Sequence, residues 1–339
     1  MAAFFAEYGL FLLKAITIVV AIVVVIIVAA STGRKAGHEG LEVENLNKKY
    51  RRLADTLRDA VSSKDEQKKA AKARKKQDKA ESKEPSARPR SFVIHFKGDL
   101  KASAVASLRE EISAILDVAN EEDEVIVCLE NHGGMVHEHG LAASQLSRIR
   151  DHNIPLVVCV DKVAASGGYL MACVASKIYA APFAIIGSIG VIAQLPNFNR
   201  MLDSHGVDFE QITAGEHKRT VTMFGKNTDE DRAKLKEELE DVHVLFKDAI
   251  AKYRADLDLD KVATGEHWYG TRALDLGLTD EISTSDELLG EKAKDRELYL
   301  VEYKIKQPLQ KRLMGNVDSA LEKAHAVSWR RKVESQLPR

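Results

Sequence analysis

Between Gly9 and Ala30 the chain carries one charged residue, Lys14, and from Ala15 to Ala30 it carries none. About 20 apolar residues at ~1.5 Å rise per residue match a hydrocarbon core of ~30 Å, so this run predicts a transmembrane helix. A cleaved signal peptide would need a basic leader, a shorter apolar stretch and a small-residue cleavage site. The leader here holds Glu7 and no Lys or Arg before Lys14, and the β-branched run from Ile16 to Val28 is longer than a signal peptide uses. Residues 1–8 are expected as a tail and 9–30 as a retained anchor. Lys14 then snorkels to the interface, and the bilayer is a partner.

The 339 residues have a net charge of −1, so no global basic footprint points to nucleic acid. That neutrality hides an asymmetry. The stretch 31–90 is strongly basic, including Lys68, Lys69, Lys72, Arg74, Lys75, Lys76 and Lys79. Arg34, Lys35, Lys48, Lys49, Arg51 and Arg52 follow the apolar run, and the positive-inside rule would leave the downstream chain in the cytoplasm. Leu46, Tyr50, Leu53, Leu57 and Val61 recur at spacings of 3 and 4, which predicts an amphipathic helix able to pair with a copy of itself. From Ser62 to Arg90 no apolar stripe exists, and Pro85 and Pro89 end any helix, so the segment reads as a solvated tether.

Residues 91–305 alternate strand and helix patterns, the signature of an α/β fold with a mainly parallel sheet. Strands are expected at Phe92–Phe96, Glu124–Leu129, Pro155–Val160, Lys177–Ala181, Val191–Gln194 and Phe209–Thr213. Helices are expected around Val105–Leu116, Leu141–Ile149 and Asp229–Ala255. Residues 306–339 form a C-terminal tail with an amphipathic helix at Val317–Val327. Cys128, Cys159 and Cys173 are odd in number and lie in apolar runs, which reads as buried free thiols.

Ser166 lies where the strand pattern ending at Val160 gives way, through Asp161-Lys162-Val163-Ala164-Ala165, to Gly167-Gly168-Tyr169 and an apolar helix. A serine at a strand-to-helix turn can be a nucleophile at the positive end of a helix dipole, with the Gly167 amide facing a developing oxyanion. It can equally be a helix cap in a Gly-rich turn. A second Gly pair, Gly133-Gly134, follows the strand ending at Leu129, and Gly187-Ser188-Ile189-Gly190 repeats the small-residue pattern. His132, His137 and His139 are the obvious bases, and His137-Glu138-His139 also invites a metal, although no third ligand has an evident spacing. Lys218, after the expected strand Phe209–Thr213, serves as a base only if desolvation lowers its pKa; otherwise it is a solvated surface lysine.

The ordered runs Asp161–Tyr169, Gly187–Val191, Gly215-Glu216-His217-Lys218 and Gly265-Glu266-His267-Trp268-Tyr269-Gly270 resemble the signal peptide peptidase A (S49) family. With the apolar anchor and basic connector, the chain is most similar to its SohB-type branch of Gram-negative inner-membrane peptidases. The resemblance implies a ClpP/crotonase-like fold preceded by one transmembrane helix, and a serine endopeptidase acting on signal-peptide remnants or fragments of membrane and exported proteins. It implies Ser166 as nucleophile, Lys218 as general base, Ser188 as the residue orienting the lysine, and the Gly133 and Gly167 amides as the oxyanion hole. The histidines become bystanders. No cofactor or metal is implied, a homo-oligomer is, and the catalytic domain falls in the periplasm, against the charge rule. A crotonase-like fold also serves acyl-CoA chemistry, against which the Ser166/Lys218 pair and the membrane anchor argue; the connector would also suit a non-catalytic membrane scaffold, which labelling by an active-site-directed probe distinguishes. One departure is local: relatives carry Ser-Pro before the Gly pair, and this chain has Asn131-His132. That substitution relaxes the loop and sets a titratable group beside the expected oxyanion hole.

Overall fold

Three apolar runs form the centre of the molecule because both of their faces are covered. In the computed structural model β2 (Arg90–Lys97), β3 (Glu124–Glu130) and β4 (Leu156–Val160) are buried along most of their length. Such continuous burial belongs to a parallel sheet packed on both sides. The structure describes residues 7–19, 21–22, 39–81, 88–215 and 218–305. The chain divides into two compact units, one of residues 1–40 with 304–339 and one running from Leu41 to Tyr303.

Within the larger unit the sheet has the order β1-β10-β2-β3-β4-β6-β9, where β1 is Gly40–Asn45, β6 Lys177–Ala180, β9 Glu281–Ile282 and β10 Glu297–Lys304. The pairings of β10 with β2, β2 with β3, β3 with β4, β4 with β6 and β6 with β9 are all parallel. Period-two alternation sends Ile94, Val127 and Val158 to one core, which takes in α4 (Val105–Val118), α5 (Val136–Asp151) and α6 (Gly167–Ala172). Val93, Ile126 and Val157 face the other core, with Leu46 of α2 (Leu46–Val61) and Leu288 and Leu289 of α11 (Ser285–Lys292). A second, three-stranded sheet joins β5 (Val163–Ala165), β7 (Ile185–Gly187) and β8 (His267–Tyr269). The remaining helices are α7 (Asn199–Ser204), α8 (Asp229–Tyr253), α9 (Leu259–Val262) and α10 (Gly270–Asp275).

The connector expected over 31–90 is in part a component of the folded domain. β1 supplies an edge strand, and the Asn47 amide is fully used: it donates to Ala293 O (3.0 Å) and Arg296 O (2.9 Å) and accepts from Leu298 N–H (2.8 Å). The domain boundary expected at 91 therefore falls inside a unit that starts near Leu41. Of the stripe on α2, Leu46 and Tyr50 reach the core, whereas Leu53, Leu57 and Val61 are exposed. The tether expected from Ser62 is helical as α3 (Lys64–Glu81) and is tied back to α2 by Arg74, which pairs with Asp55 and Asp59.

Two expected strands are absent. Residues 191–194 and 209–213 form no ladder, because neither finds a partner strand in the described chain. A β-rich composition is insufficient without a pleated neighbour. Of the apolar run 9–30, residues 9–19 and 21–22 are helical, and the rest lies outside the described residues. Among the described residues no helix is long and apolar enough to cross a membrane. The helix expected at Val317–Val327 also lies outside them.

One buried acid makes stability pH-dependent. Glu111 on α4 is 4% exposed and accepts the Tyr303 N–H of β10 (2.8 Å). Burial, reinforced by the nearby Glu302 charge, pushes its carboxyl up to about 7. The folded state therefore keeps a proton that the unfolded chain, titrating near ~4.3, has lost. This contribution to stability is full below about pH 4 and is lost as pH rises through about 7, a change on the order of 3 kcal/mol. Glu111→Gln retains the acceptor without the charge, so its melting temperature should exceed that of the parent at pH 8 and match it near pH 4.5. Equal differences at both pH values would refute the assignment.

Candidate active site

β5 delivers Ser166 directly to the first turn of α6, and the chain reverses in that single step. The reversal puts Ser166 at φ +52°, ψ −121°, a conformation that residues with a side chain rarely adopt. Surrounding bonds hold it there: Ser166 N–H donates to Gly187 O (2.8 Å), Leu170 N–H to Ser166 O (3.0 Å) and Ala165 N–H to Asn131 O (3.0 Å). The buried Tyr169 hydroxyl donates to Leu278 O (3.0 Å), pinning the short helix from its far side. The Ser166 side chain is half-buried, and its hydroxyl makes no hydrogen bond among the described residues. Strain of this kind persists where the neighbourhood over-determines it, often at functional sites.

Close approach explains the glycines. A Cβ on Gly133 would lie 2.7 Å from Ala165 O and 2.8 Å from the Ser166 Cβ, and one on Gly168 would strike the Asn131 carbonyl. The loop Asn131–Gly134 therefore lies directly against the Ser166 turn, joined to β5 through Asn131 N–H to Val163 O (2.9 Å).

Ser188 sits in a matching place. It follows β7, has φ +52°, and donates its N–H to Glu266 O (2.6 Å). The register pairs Ala165 with Gly187, so the two serines leave adjacent parallel strands side by side. Lys218 is elsewhere in character: it is exposed, among the described residues only its backbone N–H is engaged, by Gly215 O (3.2 Å), and its neighbours Glu216 and His217 lie outside those residues. Ser166, Ser188, Gly133 and Gly167 are thus brought together, while Lys218 has no hydrogen bond to either serine among the described residues. Gly133 brings a surprise. Its N–H donates to the Asn131 side-chain oxygen (2.9 Å), so it is already occupied.

Beside Ser166 lies a cavity of about 190 Å³. Gly134, Gly167 and Gly140 form part of its wall, and Leu170, Val191 and the α8 residues Val242, Leu245, Phe246 and Ala249 give it an apolar lining. An opening of this character accepts an apolar side chain next to a reacting bond.

The other candidates are placed differently. His132 and His137 are exposed, and His139 is fully buried on α5. None of the three bonds to Ser166, and among the described residues no three His, Cys, Asp or Glu side chains cluster as a metal site. Burial pushes the Cys128 and Cys173 thiols up to about 12, with Cys159 higher still, so all three are protonated near neutrality and poor nucleophiles. Asn131, not singled out for the site, and His139, expected as a bystander, are both fully buried and bonded to one another around it. The signal for His139 was its phase: it shares a helical face with Ala142, Leu146 and Ile149, all buried.

The chain has clear relatives. Residues 3–146 match the model of the Peptidase family S49 N-terminal region, and residues 148–299 match Peptidase family S49. A protein of Haemophilus influenzae described as "Probable protease SohB" is 47% identical over 319 residues, covering 90% of each chain. Another of that description, from Buchnera aphidicola subsp. Acyrthosiphon pisum, is 53% identical over 226 residues, 67% of each. Among solved structures, a serine-to-alanine mutant of the 1510-N membrane-bound stomatin-specific protease overlays with a TM-score of 0.41 at 16% identity, covering 61% of this chain and 86% of that one. The matches span both halves of the chain, including the Ser166 turn and the Gly133 loop that packs on it, and so this mixed α/β protein belongs to peptidase family S49 as a SohB-type peptidase.

Proposed function

We propose that this peptidase is a membrane-anchored serine endopeptidase of the ClpP/crotonase-like fold, with Ser166 as nucleophile and Lys218 as general base. The observation that carries the reading is the Ser166 turn: a hydroxyl with no hydrogen bond among the described residues, at φ +52°, beside an apolar cavity and backed by glycine-only contacts. In the reaction, neutral Lys218 takes the Ser166 proton as Oγ attacks the scissile carbonyl. The lysine ammonium then protonates the leaving amine. Water, activated by the same lysine, releases the acyl group. Backbone amides beside Ser166 stabilise the oxyanion, and Ser188 orients the lysine amine. Lys218 is exposed, and the dyad requires its amine within hydrogen-bond reach of Ser166 Oγ; a homo-oligomer is the assembly that family resemblance implies. The apolar run 9–30 supports the anchor, and remnants of signal peptides and fragments of membrane or exported proteins suit an apolar cavity. Family resemblance and the charge rule put the domain on opposite sides of the membrane; a reporter fused after Arg339 separates them.

Labelling by a fluorophosphonate should modify the parent protein and not Ser166→Ala. Lys218→Met should lower peptide cleavage at least about 10³-fold, as expected for loss of a nucleophile's base. A parent protein that resists the probe, with cleavage unaltered in both variants, would sink the reading.

The cavity gives a second outcome. A Cβ on Gly140 meets no atom within 4 Å, so a larger side chain there projects into open space. Gly140→Leu should reduce cleavage after leucine relative to cleavage after alanine by about tenfold or more, the scale of one to two methylenes in a pocket. An unchanged ratio would mean that the cavity does not bind the residue preceding the scissile bond.

A further inference from the structure

We propose that Asn131 and His139 are a buried positioning pair that fixes the Asn131–Gly134 loop against the Ser166 turn and so sets the oxyanion site. This rests on the reading of Ser166 as nucleophile. The Gly133 N–H is occupied by Asn131 Oδ1 at 2.9 Å, and Gly133 does not border the cavity beside Ser166. Gly134 does border it, together with Gly167, and Gly134 N–H has no acceptor among the described residues. The next amide, Met135 N–H, is fixed to Leu100 O (2.9 Å), so the loop is held on both sides of Gly134.

His139 reaches both halves of this arrangement. Its Nε2 lies 3.2 Å from Asn131 Oδ1. That oxygen already accepts from Gly133, and the Asn131 amide nitrogen is spent on Met171 Sδ (3.2 Å), so the ring nitrogen must supply the hydrogen. The same ring fills the space beside Gly167, where a Cβ would come within 2.5 Å of His139 Cγ. His139 Nδ1 faces Met135 O at 3.0 Å, and it is the His139 backbone N–H, donating to Met135 O (3.1 Å), that ties the residue to the far end of the loop. One side chain thus packs on the amide that follows Ser166 and clamps the asparagine that shapes the opposing loop. Both residues are wholly buried, so neither contact competes with water.

The pair is tested with the full chain and a fluorogenic peptide carrying leucine before the scissile bond, reading kcat and KM separately alongside melting temperature. His139→Leu and Asn131→Ala should each lower kcat by about 10–100-fold, the scale of misplacing or losing an oxyanion donor, with KM within about threefold. His139→Gln, which restores an N–H donor, should recover most of the loss. The double variant should be no worse than either single, because the two act as one unit. If His139→Leu does not fold, His139→Gln and Asn131→Ser carry the comparison, with the glutamine expected to keep kcat and the serine to lose it. Unchanged kcat in the folded variants, or losses that follow melting temperature with glutamine no better than leucine, would overturn the pair. A rise in kcat for Asn131→Ala would also overturn it, by identifying Gly133 N–H as the donor and Asn131 as its competitor. Ser166→Ala separates the two levels. If it still cleaves, the nucleophile reading fails; if it is silent while His139→Leu works at the parental rate, only the positioning pair fails.

Discussion

The positive φ of Ser166 is the constraint around which the rest of this domain is arranged. A serine in that conformation is held only if strand, helix and neighbouring loop are each fixed independently. The Gly187 carbonyl takes its N–H, Leu170 takes its carbonyl, and Tyr169 bonds across to Leu278. Because the turn is so tight, Gly133 and Gly168 cannot carry a Cβ, since backbone and side-chain atoms already occupy those positions. The glycines near Ser166 are therefore consequences of close packing before they are features of a catalytic motif.

The two sheets divide the labour. The central strands of the seven-stranded sheet are buried on both faces and form the core, while the three-stranded sheet of β5, β7 and β8 sets the geometry. Its register sets the Ser166 and Ser188 turns next to one another, and the loop at Asn131 bridges it to β3 of the large sheet. The region bearing Lys218 contributes to neither. Its apolar residues Ile192, Phe209 and Ile212 stay exposed, because extended segments without a ladder cannot bury their backbone groups.

Where sequence reading and structure part company, the cause is long-range contact. Continuous apolar runs made β2, β3 and β4 legible, and the 3.6-residue period revealed α4 and α8 over nearly their whole length. Val191–Gln194 and Phe209–Thr213 had the composition of strands and lacked a partner. β1 was the reverse case: Gly40–Asn45 lay in what read as a basic connector, yet Asn47 bonds to residues almost 250 positions away and brings the segment to the sheet edge. No local pattern announces such a contact.

The sequence by itself determined the alternating α/β order, the apolar setting of the three free thiols, the Ser166 turn with its flanking glycines, and, through four ordered motifs, the family. These follow from local periodicity and from residues whose chemistry is tied to immediate neighbours. Only the tertiary structure decided that Gly133 N–H is spent on Asn131, that His139 is buried against Gly167, and that Gly134 borders the cavity. The physical reason is that a hydrogen bond or close contact between separate elements depends on register and packing distance, and a linear sequence encodes neither locally.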